Sequence, residues 1–184
     1  MNLALGSDVM EFRLIYDGPL RSASNSSRKD DKHRIRTVVH EQLEELANIR
    51  RTVDNRHVIK NQFVRIGNCD FWPLVTEEHA VFCHLDILFL RSGKPGSVIV
   101  GGDLDNRLKT LFDALRVPRD SKELPEGIED QMYRCLLKDD SLITGHSVTT
   151  DRLLLPASQD ETQARIVIRV QIEPMIKTPG NVGF

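Results

Sequence analysis

Gly101-Gly102-Asp103-Leu104-Asp105-Asn106-Arg107-Leu108-Lys109-Thr110-Leu111-Phe112-Asp113-Ala114-Leu115 is the stretch from which the rest of the chain is read. Leu104, Leu108, Leu111, Phe112 and Leu115 recur at i, i+4, i+7, i+8 and i+11, the spacing that lines one face of a helix. The pattern predicts a helix over 103–116. Asp103 is its expected N-cap, because a short carboxylate can accept from the unpaired N–H groups of the first turn. The two glycines let the chain turn in, and Val117-Pro118 closes the helix.

On the N-terminal side, Ala80 to Leu90 alternates Val81, Cys83, Leu85, Ile87 and Phe89 with a second, nearly as apolar set. A strand apolar on both faces is expected in the middle of a sheet covered by helices. On the C-terminal side, Arg119 to Gln131 is acidic, contains proline and has no period, so it reads as a long loop. Tyr133 to Leu137 reads as a short strand leading into Asp139-Asp140. Leu142 to Leu154 reads as a strand bent at Gly145, and Gln163 to Glu173 as a strand with Ala164, Ile166, Ile168, Val170 and Ile172 inward.

The first third adds a strand over Val9 to Tyr16, ended by Asp17-Gly18-Pro19, and a serine-rich loop over Arg21 to Ser27. A second helix is expected from Asp30 or Asp31 to about Arg50, with Ile35, Val38, Val39, Leu43, Leu46 and Ile49 inward. Phe63 to Ile66 suggests a short strand turning at Gly67-Asn68. Phe71-Trp72-Pro73-Leu74 reads as an apolar knot. The sum is one α+β domain over residues 1–184, a mixed β-sheet with two main helices packed against it, with 1–9 and 174–184 loosely ordered.

Composition excludes several classes. At 40% hydrophobic, the chain can build a core. Its longest apolar run, Leu85 to Leu90, is interrupted by Asp86 and falls far short of the roughly 20 residues of a membrane helix. Met1 to Val9 lacks the basic start of a signal peptide. Cys69, Cys83 and Cys135 form no C-x-x-C pair, which reads as free thiols in a reducing cytoplasm. The six histidines show no metal-ligand spacing. From Arg21 to Ile66 there are eleven Lys/Arg against six Asp/Glu; from Asp103 to Glu161 there are eight against thirteen. A basic first third and an acidic second half suit a protein that holds a polyanion with one part and cations with another, and equally an internally compensated dimer.

The chemistry gathers at two places. Asp103 and Asp105 open the central helix, with Lys109 one turn after Asp105. Asp139 and Asp140 stand where a strand ends. Carboxylates drawn together repel, and Mg²⁺ relieves that while keeping room for a phosphate oxygen. The bland alternative is a capped helix followed by an ordinary Asp-Asp-Ser turn.

Gly-Asp-Leu-Asp-Asn-Arg-Leu-Lys-Thr-Leu-Phe-Asp-Ala-Leu, followed by Leu-Lys-Asp-Asp-Ser-Leu-Ile and an alternating C-terminal strand, resembles the RusA family of Holliday-junction resolvases. The resemblance is strong over Gly101 to Ser141. It implies a small α+β homodimer that nicks four-way DNA junctions with Mg²⁺ (Mn²⁺ as a substitute), a cytoplasmic protein of bacterial or prophage origin. By position it implies Asp103, Asp105 and Asp140 as metal ligands and catalytic groups, with Asp139 and Asp113 as secondary candidates and Lys109 as the catalytic cation. Arg21, Arg28, Lys29, Lys32, Arg34 and Arg36 are the candidates for contacts to DNA phosphates. The chain departs from the family in being slightly acidic, at a net charge of −2, and in the length of its loop over 117–131.

Overall fold

The computed structural model describes residues 10–21, 25–53, 63–91, 101–128, 130–154 and 163–175, with side chains at all of these except 25–27, 50–53 and 101–103. The stretches expected to be loose, 1–9 and 174–184, lie outside the described residues except for Pro174 and Met175. The chain forms an α+β domain with two mixed sheets rather than one. The larger sheet contains β1 (Met10–Pro19), β4 (Val81–Arg91), β6 (Ile143–Arg152) and β7 (Gln163–Pro174). Their order is β1-β7-β4-β6, with β7 antiparallel to both neighbours and β4 parallel to β6. The smaller sheet orders β2 (Val64–Ile66), β3 (Cys69–Val75) and β5 (Met132–Leu137) as β2-β3-β5, with β3 and β5 parallel.

Period-two alternation fixes the inner face of the large sheet. Leu14, Tyr16, Leu85, Ile87, Phe89, Ile166, Ile168 and Val170 are all buried on it. They pack against Ile35, Val39 and Leu43 of α1 (Asn25–Val53) and Leu108, Leu111, Ala114 and Leu115 of α2 (Gly101–Leu115). A second core, of Cys69, Phe71, Val117, Leu124, Tyr133 and Cys135, lies at the small sheet. All three thiols are free and buried.

Several expectations change. The chain pairs through Asp17-Gly18-Pro19, which continue β1 opposite Arg165, Ala164 and Gln163. Helix α1 includes Asn25 onward, so Asp30 and Asp31 lie inside it. Asp31 is fully buried, and its carboxylate accepts from the Arg21 backbone N–H and side chain. The apolar knot is strand β3. Among the described residues β2 pairs only as far as Phe71, so none of them forms a ladder with the Pro73 nitrogen on that side, which suits a proline. Among the described residues no helix covers the outer face of β4. That face instead carries ion pairs, including Asp86 with Arg169 and Arg169 with Glu11.

Two turns rest on glycine. Gly67, at φ +58°, makes the two-residue β2–β3 turn in a conformation costly for other residues. A Cβ on Gly18 would come within 2.6 Å of the Tyr16 hydroxyl, which donates to the Pro19 carbonyl at 2.8 Å. Gly18→Ala is therefore expected to dislodge a buried phenol from its acceptor and to cost about 1–3 kcal/mol. Urea unfolding checks this; an unchanged midpoint would contradict it.

Candidate nucleic-acid interface

The first turns of α1, the middle of α2 and the loop after α2 enclose a cleft of about 310 Å³. Lys109, Thr110 and Asp113 line it from α2, at i, i+1 and i+4. Arg28, Lys29 and Lys32 line it from α1, and Lys122 and Glu123 from the loop. Helix α2 can present these polar groups because Leu108, Leu111, Ala114 and Leu115 take the opposite side into the core.

Five cations thus face two carboxylates, and both carboxylates are engaged within the protein. Asp113 meets Lys32 and Arg116, each at 2.7 Å, and Glu123 meets Arg116 at 3.1 Å. The cleft is left electropositive. Burial pushes the Asp113 carboxyl up, but hydrogen bonds from Lys32 and Arg116 outweigh it and hold its pKa below the usual value. Arg116 is almost fully buried and also donates to the Val117 carbonyl at 2.8 Å.

Behind the cleft lies Arg36, which is fully buried. It donates to the Asp113 backbone carbonyl at 3.4 Å and sits 5.9 Å from the centre of the Phe71 ring. Its Nε and Nη1 have no hydrogen-bond partner. Arg36 is therefore a core residue and does not reach a surface ligand, contrary to the expectation from sequence. Arg21 is tied to Asp31 at 2.7 Å, and Arg34 is exposed but does not line the cleft. Of the six expected phosphate contacts, Arg28, Lys29 and Lys32 are the ones brought together with Lys109.

His33 lies one residue along from Lys32, in edge contact with Tyr133 at 5.9 Å between ring centres. Burial first, and the charge of Arg36 second, hold its pKa below the ordinary 6.5. The unfolded chain then takes up this proton before the folded chain does, so the fold loses stability as pH falls below about 6.5. Half-buried His79, its pKa also lowered by burial, acts in the same direction. The urea midpoint is expected to be lower at pH 5.5 than at pH 7.5; a higher midpoint at pH 5.5 would overturn this assignment.

Of the expected metal ligands, Asp105, Asp139 and Asp140 have described side chains and Asp103 does not. Asp103 lies inside α2 rather than at its cap, and its side chain is outside the described residues. Asp105 is exposed on the first turns of α2. Asp139 and Asp140 come after β5, whose Leu137 pairs with Arg116 just beyond the other end of α2. Asp140 there lies 3.7 Å from Arg119, and Asp139 accepts from the Ser141 N–H at 2.9 Å, which helps hold its pKa low. At 1.5 Å per residue, about 15 Å of helix separates the level of Asp105 from that of Leu115. Among the described residues no group of three carboxylate, histidine or cysteine side chains is placed to hold a metal ion. Asp105, Asp139 and Asp140 by themselves form no Mg²⁺ site, and the Asp103 side chain, which the resemblance places with them, lies outside the described residues.

No known protein family, curated protein or solved structure matches the chain. Among the described residues no helix is long and apolar enough to cross a membrane.

Sequence reasoning missed Lys122, Glu123, Thr110 and the buried Arg116. Thr110 and Arg116 lie on the polar side of the helical pattern that predicted α2, and so could have been suspected. Lys122 and Glu123 sit in an aperiodic segment and carried no signal.

Proposed function

We propose that this protein works on branched DNA and holds a backbone phosphate in the α1–α2 cleft. One observation carries the reading: Lys109, the cation of the Asp-Leu-Asp-Asn-Arg-Leu-Lys motif, lines the same cleft as Arg28, Lys29 and Lys32. Lysine ammonium groups make charge-assisted bonds to phosphate oxygens, and such contacts supply most sequence-independent affinity for DNA. The junction is recognised through the placement of its phosphates, not through base edges.

Binding can lead to either of two outcomes, and one assay separates them. In the first, the protein is a structure-selective endonuclease like the RusA resolvases, a homodimer cutting symmetry-related strands. Lys109 then stabilises the added negative charge on the phosphate as its ester bond breaks. In support, Asp105 stands exposed one helical turn before Lys109. In the second, the protein binds the junction without cutting it. The position of Asp139 and Asp140 at the far end of α2 favours this second reading.

The test incubates wild-type protein with a synthetic four-way junction and Mg²⁺ or Mn²⁺. Paired nicks support the endonuclease, and Asp105→Asn is then expected to abolish nicking while binding survives. Binding with no cleavage of junction, flap or single-stranded DNA leaves the second reading. A solution mass of twice 20.9 kDa is expected for the homodimer; a monomer would contradict paired cutting. The three buried thiols suit a reducing cytoplasm.

A further inference from the structure

The loop over 117–131 is the part of the chain that exceeds the usual RusA-like link. Its first half is fixed in place. Val117 donates its N–H to the Leu137 carbonyl at 3.0 Å. Arg116 holds Glu123 at 3.1 Å, and Leu124 is buried beside Phe71 and Tyr133 in the second core. Between these anchors, Ser121–Glu123 forms a 3₁₀ turn, capped by Asp120, whose carboxylate accepts from the Lys122 N–H at 2.8 Å. The turn exposes Lys122 and places it on the wall of the cleft.

The cleft has a volume of about 310 Å³. Its cations stand on three separate walls: Arg28, Lys29 and Lys32 on α1, Lys109 on α2 and Lys122 on the loop. Cations set on three separate elements can engage more than one phosphate of the same backbone.

We propose that the loop builds a second phosphate subsite, with Lys122 as its cation, so that two phosphates of a DNA strand are gripped in the α1–α2 cleft. Glu123 is a positioning residue: bound to Arg116, it holds the turn against α2 so that Lys122 faces inward. The subsite rests on the proposed function, since its ligand is the next phosphate of the same backbone. It also gives the insertion a role, because a neighbouring contact restores affinity to a chain less basic than the RusA resolvases it resembles.

The test is equilibrium binding of a fluorescent four-way junction, without divalent ions, across 50–200 mM salt. Each neutralised phosphate contributes a slope of about −0.9 to the dependence of log affinity on log salt. Lys122→Ala is expected to make the slope shallower by about one contact, so that the affinity lost between 50 and 200 mM shrinks by about 3.5-fold. Lys122→Arg is expected to keep the wild-type slope. Lys138→Ala, which removes a cation paired with Glu78 away from the cleft, is expected to leave the slope unchanged. If Lys122→Ala binds with the wild-type slope, or Lys138→Ala shifts the slope as much, the second subsite is wrong and the function stands. If wild-type protein does not bind the junction, the function fails and the subsite with it.

Discussion

Replacing Arg116 with methionine is expected to destabilise the fold by about 3–5 kcal/mol, the range for removing one partner of a buried ion pair. The side chain is 2% exposed and serves three acceptors: Asp113, Glu123 and the Val117 carbonyl. Methionine fills much of the same volume but bonds to none of them. Asp113 keeps Lys32 at 2.7 Å. Glu123, 20% exposed, loses the one ion-pair partner described for it. For a chain of this length the loss corresponds to a fall in melting temperature of roughly 6–20 °C. Urea unfolding gives the free energy directly, with an unchanged dependence on denaturant showing that only stability has moved. Adding Glu123→Gln to Arg116→Met is expected to recover part of the loss, because the stranded charge is then gone. A loss below about 1 kcal/mol would mean that Arg116 is solvated in the folded state.

Lys109→Glu is expected to weaken binding to a four-way junction roughly 10- to 150-fold, with the fold intact. A hydrogen bond to a charged group contributes about 1.5–3 kcal/mol, and reversal of sign adds repulsion from a phosphate at the same place. Lys109 is exposed and on the polar side of α2, so stability should change by no more than about 0.5 kcal/mol. The contrast with Arg116 is the informative part. The two residues lie two turns apart, yet Arg116 is expected to affect chiefly stability, reaching binding only through the Glu123-held turn, and Lys109 binding alone. Equal junction affinity in wild type and Lys109→Glu would remove the cleft from the interface.

The elements most legible in the sequence were those whose period is set by one buried face. Ala164, Ile166, Ile168, Val170 and Ile172 alternate without interruption, and all are buried. The i, i+4, i+7 stripe of α2 was equally plain. In the small sheet β2 and β5 were legible as short strands, but β3 was not, because Pro73 interrupts its reading as a strand. Asp31 illustrates a different failure. Next to an expected helix start it reads as a cap, and only the fold reveals that Arg21 returns to neutralise it.

The site was legible in half. The run of basic residues over 28–36 and the lysine one turn after Asp105 were visible, and the fold brings Arg28, Lys29, Lys32 and Lys109 to one cleft. Their division into cleft and core was not visible. Arg36 comes one turn after Lys32, yet faces Phe71 rather than solvent. The grouping of Asp140 with Asp103 and Asp105 came from the resemblance, and its nearness to the helix mouth from the strand that precedes it. That strand joins the small sheet, beside β3 and Arg116, which carries Asp139 and Asp140 to the C-terminal end of α2. Strand assignment alone does not tell which sheet a strand enters.

The most direct test of the cleft as a DNA-backbone site is the affinity of the wild-type protein for a four-way junction, measured without divalent ions at 50 and 200 mM salt. With one phosphate neutralised at the Lys109 site and one at Lys122, affinity should fall roughly 12-fold between the two conditions. No binding at 50 mM salt, or the same affinity at both, would contradict the account.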